Sequence, residues 1–228
     1  MTAVADVGVA TGGRPGASLR IAGWSAVLGT VLSFARAPLT GELDLPETTA
    51  SPEAIVGFFR GSSLDVAFVG GMVMVSVGWL LYLVFIAKVA DLLQTIDVSY
   101  RWLGYVMFGG MVLNVGMTLG YVVTLTVGVS AATGGGVGLD VLVVLFRAIW
   151  TFIYLGTLVW ALVAVPMGYA IVRTAILPVW MGWAILIIFV ANLAANFMPF
   201  EVSSVTGGLP YLWMLAAGVV LMIRSNRH

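Results

Sequence analysis

Long apolar runs, separated by short polar or glycine- and proline-rich segments, set the rhythm of this chain. A helix crossing a hydrocarbon core of about 30 Å needs about 20 apolar residues. Six runs meet or approach that length: 21–39, 64–89, 102–129, 142–172, 177–198 and 209–223. The fourth is overlong. The sixth, at 1.5 Å per residue, reaches only about 22 Å, so either Arg224 snorkels or its helix begins before Pro210. The pattern predicts an all-α fold: a polytopic membrane helix bundle with six transmembrane helices, forming one domain over residues 19–228.

The connections carry turn chemistry. Residues 40–63 form the longest, with Gly41, Pro46, Pro52 and Gly61. Within it, Ser51-Pro52-Glu53 reads as a helix start. Proline at the first helical position lacks an N–H that would be unpaired anyway, and an acid there meets the positive end of the helix dipole. A short surface helix over 54–59 is expected. Residues 130–138 contain Gly134-Gly135-Gly136 and read as a loop. Residues 1–18 are small and polar and read as disordered.

Composition supports lipid as the solvent. Of the 228 residues, 61% are hydrophobic and 9% charged, against about 25% charged in soluble domains. So few charges cannot clothe a water-exposed surface. Net charge is zero, so no global field favours nucleic acid. The partner expected is the lipid bilayer, with a membrane-protein partner or a second copy of the chain as candidates.

The sparse charges set an orientation. With the N-terminus inside, one side carries Arg14, Arg20, Lys88, Arg101, Arg173, Arg224 and Arg227, and the other Arg36, Arg60 and Arg147. That imbalance follows the positive-inside rule and predicts that both N-terminus and C-terminus are cytoplasmic. Glu42, Asp44, Glu47, Glu53, Asp65, Asp140 and Glu201 then lie outside. Ala35-Arg36-Ala37 fits a signal-peptide cleavage pattern, but the pattern is common in alanine-rich chains, and the first span is read as uncleaved. Trp24, Trp102, Trp180 and Trp183 mark the inner interface and Trp150 and Trp213 the outer, whereas Trp79 and Trp160 sit mid-span, where packing is expected.

Much chemistry is excluded. There is no cysteine, and the one histidine is His228, so thiolate chemistry, histidine-ligated haem and the usual zinc sites lose their ligands. Nucleotide-binding loops, nucleophile elbows and metalloprotease motifs are missing. No cofactor is expected.

Two stretches resemble a known family. Arg20-Ile21-Ala22-Gly23 opens the first span. A later hairpin reads Val165-Pro166-Met167-Gly168, Arg173, Leu177-Pro178 and Gly182. Over about residues 19–200 this resembles the bacterial membrane family catalogued as domain of unknown function 4386. The resemblance implies a multi-helix protein of the bacterial inner membrane and supplies no activity or catalytic residues. Independently, Pro178 suits a helix start, and Arg173 suits the negative end of the preceding helix.

Polar residues at membrane depth are then the candidates for function. By helix rise, Arg36 lies about 24 Å, Asn114 about 20 Å, and Asn192 and Asn196 about 21 and 27 Å from the inner boundary. Arg147 lies about 39 Å from Arg173, near the outer interface. Asn192 and Asn196 share a helix face, as do Asn114, Thr118 and Tyr121, and Arg147, Thr151 and Tyr154. The inner half of the spans is almost wholly apolar. The candidate ligand site is therefore Arg36, Asn114, Thr118, Arg147, Thr151, Tyr154, Asn192 and Asn196, converging toward the outside with Arg147 as its mouth. The competing reading makes these residues separate interhelical hydrogen bonds. Arg36 is expected to pair with Glu42 or Asp65. Gly116-x-x-x-Gly120 matches a close-packing motif, and Gly70-Gly71 and Gly109-Gly110 are expected to admit close helix approach.

Three functions fit. The chain binds or moves a small lipophilic or amphiphilic ligand; or it is an accessory subunit of a membrane complex; or, weakest, it is an enzyme acting on lipid around Asp65, Asp140 and Arg147.

Overall fold

The computed structural model describes residues 15–40, 45–134, 137–196 and 200–226. Among these it is all helix, with no strand. The helices are α1 (Pro15–Ala35), α2 (Ala37–Thr40), α3 (Pro52–Gly61), α4 (Val66–Ile96), α5 (Arg101–Thr133), α6 (Leu139–Val159), α7 (Ala161–Thr174), α8 (Val179–Ala195) and α9 (Phe200–Ser225).

Among the described residues, five stretches are long and apolar enough to cross a membrane: Gly16–Ala35, Val66–Ile96, Val98–Thr133, Leu139–Thr174 and Gly207–Ser225. The chain is thus a multi-pass membrane protein. Within the run expected at 177–198 the described helix is Val179–Ala195, whose 17 residues fall short of that length. For the shortest run the second of the two readings holds: it is the C-terminal part of a 26-residue helix that starts well before Pro210. α1 begins at Pro15, so the segment read as disordered already turns helical there, while residues 1–14 lie outside the described residues. α5 runs to Thr133, several residues into the expected glycine loop.

Local chemistry explains the ends. Ser51 caps α3 by accepting from the Ala54 N–H at 3.3 Å, with Pro52 in the first turn. Asp65 caps α4, accepting from the Phe68 N–H at 2.8 Å and the Ser63 hydroxyl at 3.0 Å. Its carboxylate is committed to that cap rather than to Arg36, and Glu42, the other expected partner, lies outside the described residues. After α7 the chain turns at Ala175, which has φ 51°. The Arg224 guanidinium donates to the carbonyls of Ala175 and Ile176, and Arg20 donates to the Asn226 side chain at 2.9 Å. These bonds bring the start of α1, the α7–α8 turn and the end of α9 to one end of the bundle.

The helices form a ring. α1 packs between α4 and α9, α4 on α5, α5 on α7, α7 on α8, and α8 on α9. Three crossings are glycine against glycine. A Cβ on Gly23 would meet the Gly218 carbonyl at 2.8 Å, one on Gly29 the Gly78 carbonyl at 3.0 Å, and one on Gly168 the Gly182 carbonyl at 2.9 Å. By contrast Gly70, Gly109 and Gly116 face open space, so those three make no close crossing; Gly110 does, against Leu162, and Gly120 against Phe152.

α6 leaves the ring. It packs on α5 and under α3 but touches α8 at few residues, whereas α7 runs closely along α8. The helix is interrupted at Trp160, the one residue between α6 and α7, whose carbonyl accepts from both the Val163 and the Ala164 N–H. One turn further on, Pro166 has no N–H for the Leu162 carbonyl and its ring crowds that carbonyl, which weakens the helix near this break. The core divides accordingly. One cluster, around Phe85, Met107, Val163, Met181 and Ala217, fills the Arg20 end. A second, around Ile55, Phe59, Phe68, Leu125 and Phe146, fills the α3 end.

Candidate functional site

A cavity of about 470 Å³ lies where the two clusters fail to meet. Tyr82, Trp160 and Met214 of the first cluster and Leu45, Tyr121 and Trp150 of the second share its wall. The cavity is open on part of its surface, and its volume falls in the range of ligand pockets.

Six of the eight residues singled out by sequence line it: Arg36, Asn114, Thr118, Tyr154, Asn192 and Asn196. They come from the α1–α2 turn, α5, α6, α8 and the end of α8. Asn114 is buried at 3% exposure, and its amide donates to the Gly110 carbonyl at 3.2 Å, leaving its carbonyl oxygen as an acceptor. Asn192 is buried, and Asn196 ends α8. Tyr154 is half-buried with its ring 5.7 Å from that of Trp150. Arg36 follows the last turn of α1 and is half-buried. Tyr121, on the Asn114 and Thr118 face, also lines the cavity.

Arg147 and Thr151 do not. Both are exposed on α6, and the Thr151 hydroxyl donates to the Arg147 carbonyl at 2.9 Å. Helical spacing gave them a common face with Tyr154, but of the three only Tyr154 lines the cavity, so Arg147, expected at its mouth, and Thr151 are not part of its wall.

Sequence reasoning missed the aromatic wall. Trp79, Tyr82, Trp150, Trp160 and Tyr211 all line the cavity. Trp79, Tyr82 and Tyr211 form a cluster with ring centroids 5.8 to 6.4 Å apart. Trp160 is 7% exposed, and its buried indole N–H has no hydrogen-bond partner among the described residues. Trp150 and Trp213, read as outer interface markers, are buried; Trp213 donates to the Met181 carbonyl at 2.9 Å. Trp24, Trp102, Trp180 and Trp183 are exposed.

Aromatic faces, amides and one arginine suit an amphiphile: apolar bulk against the rings and Met117, Ile153 and Met214, and a polar group within reach of the asparagines. Among the described residues no cluster of His, Cys, Asp or Glu could hold a metal ion. Asp65 serves the α4 cap and Asp140 the first turn of α6, and neither joins the cavity wall. A scan of family models finds no match to the chain, and searches of curated proteins and of solved structures find none either.

Proposed function

We propose that this is a six-span protein of the bacterial plasma membrane, both termini cytoplasmic, that binds a small amphiphilic ligand in the cavity between its two core clusters. One observation carries the reading: six polar residues, from four separate stretches of the sequence and all at outer-half depth by helix rise, line a single cavity of about 470 Å³. For α8 to count as the sixth span, its 17 residues, about 26 Å of helix, need only modest local thinning of the bilayer. Orientation rests on the end where Arg20, Arg224 and the α7–α8 turn meet, since arginines gather on the cytoplasmic side. Membership of domain of unknown function 4386 is part of the proposal. Its support is that Gly168 and Gly182, which carry the resemblance, have a packing reason to be glycine.

The accessory-subunit reading also draws on an observation: the Asn114 amide is already satisfied by Gly110, as a structural asparagine would be. A binding experiment separates the two. A dansyl-labelled fatty acid added to the reconstituted protein should accept excitation energy from the cavity tryptophans. Asn114→Leu and Asn192→Leu should each weaken that binding about tenfold, the equivalent of one well-placed hydrogen bond. Unchanged probe binding, with only thermal stability altered, would leave the asparagines purely structural and reject the ligand site.

A further inference from the structure

The cavity has a side as well as an end. Its wall includes Tyr154 and Thr157 on α6 and Asn192 and Asn196 on α8, two helices that barely touch. α7 packs closely along α8, whereas α6, before the break at Trp160, meets α8 at few of the described residues. The gap lies between helices whose outer faces are strongly apolar: Leu155 and Leu158 on α6, Ile187 and Val190 on α8 are all exposed. In a membrane such faces meet acyl chains. An opening between these two helices would look sideways, into lipid.

Arg147 gives this gap a headgroup site. It lies 26 residues before Arg173, about 39 Å along α6 and α7, where a bilayer with its headgroups is about 40–45 Å thick. It is exposed, and its guanidinium has no partner among the described residues. Tyr154 follows seven residues later, two turns deeper on the same face, or about 10 Å. A molecule whose phosphate rests at Arg147 would have its chain beside Tyr154 and Thr157, level with the cavity. Arginine matches phosphate geometry better than any other side chain.

We propose that a phospholipid of the leaflet at the α3 end enters sideways between α6 and α8, with its phosphate held by Arg147 and an acyl chain lying in the cavity. This rests on the reading of the cavity as a ligand site and names its occupant and route. The exposed arginine, which has no place in a closed pocket wall, then takes the outer edge of a lateral portal.

The test uses the full chain reconstituted with a phosphatidylglycerol carrying a diazirine in its acyl chain, photolysed and mapped residue by residue. Labelling is expected inside, at Met117, Ile153 and Thr157. Arg147→Gln should reduce it about tenfold, as loss of one charge-assisted hydrogen bond would. Thr157→Trp, or Ile153→Trp should the first fold poorly, should block it while labelling of Leu155 and Ile187 persists. Labelling confined to Leu155, Leu158, Ile187 and Val190 overturns the lateral lipid. If the dansyl fatty acid nonetheless binds in an Asn114-dependent manner, the ligand site stands and only its occupant and route are wrong; if that probe also fails to bind, both readings fall. Interior labelling that Arg147→Gln leaves unchanged removes the headgroup role and overturns the proposal as stated.

Discussion

The Tyr82 hydroxyl donates to Thr30 Oγ1 at 3.0 Å, tying α4 to α1 inside the membrane core. Thr30 Oγ1 lies 2.9 Å from the Ala26 carbonyl and 3.3 Å from the Tyr211 carbonyl, so the same hydroxyl also reaches α9. Three helices thus meet at one buried threonine, at the floor of the aromatic cluster Trp79, Tyr82 and Tyr211. Thr30→Val should destabilise the protein by about 0.6 kcal/mol and at most about 1.7 kcal/mol, the range for interhelical hydrogen bonds in lipid. Tyr82→Phe removes the same bond from the other side. Thermal unfolding of the two single variants and the double variant should therefore show costs that do not add; full additivity would mean the bond contributes nothing.

The hairpin of α7 and α8 depends on Gly168 and Gly182 in a different way, through steric access. A Cβ at Gly168 would sit 2.6 Å from Leu186 Cγ as well as 2.9 Å from the Gly182 carbonyl, and backbone cannot step aside cheaply. Gly168→Ala should cost about 1–3 kcal/mol, the usual range for overpacking. Gly109→Ala is the control, because nothing lies within 4 Å of its Cβ position. It should be neutral or stabilising by up to about 1 kcal/mol, as alanine is the better helix former. Equal losses for both variants, measured by thermal unfolding, would show that helix propensity rather than packing sets the outcome.

Asp65 makes the start of α4 sensitive to acid. Its carboxylate is held below its ordinary value of 3.8, first by the Phe68 N–H and then by the Ser63 hydroxyl, both of which favour the charged form. A depressed folded-state pKa stabilises the cap fully above the unfolded value. That contribution drains as pH falls from about 3.8 through the lower folded value. Hydrogen exchange at the Phe68 and Val69 amides should accelerate over this window beyond the intrinsic pH trend. Asp65→Asn should abolish the extra acceleration. Its persistence in that variant would assign the effect to another group.

How far such features could be read in advance depends on what each residue type reveals. Asn114 and Asn192 announce themselves because an amide facing lipid is costly, so their inward placement follows from chemistry alone. Trp79, Tyr82 and Tyr211 give no such signal. Ring-bearing residues in a span pack against core, cavity or lipid with similar ease, and only the assembled ring of helices shows which. Arg147 illustrates a third limit. Its spacing to Tyr154 was legible as a shared face, but spacing does not show how far along a helix a cavity reaches, and only Tyr154 of that face lines it. Pro166 was visible in the sequence, yet its consequence depends on Gly110 of α5 pressing against Leu162, a contact between distant segments. Span ends were legible only in part, because hydropathy does not mark where helices end: the start of α9 before Pro210 was one of two readings, and the described helix α8 is shorter than its apolar run.

Topology has a direct test, since the native chain contains no cysteine. Thr48 and Thr95 are both exposed, on opposite sides of the α4 span. Thr48→Cys should react with a membrane-impermeant maleimide added to intact cells, and Thr95→Cys only after the membrane is opened. Reaction of Thr95→Cys from outside would invert the proposed orientation.

The break at Trp160 is the feature on which the lateral opening depends, and Pro166 is its nearest chemical cause. Replacing proline with alanine restores an N–H aimed at the Leu162 carbonyl and removes the ring that crowds it. α6 should then continue the line of α7, and α7 lies against α8. Spin labels at Thr151→Cys on α6 and Val190→Cys on α8, both exposed positions, report the separation of the two helices. Pulsed electron resonance should find that separation shortened by several ångströms in Pro166→Ala, and binding of the dansyl fatty acid should weaken as the cavity narrows. A shortened distance with undiminished binding would show that the cavity does not depend on the gap. An unchanged distance would mean that Gly110 against Leu162, together with the packing of α6 on α5 and α3, holds α6 aside without help from the proline.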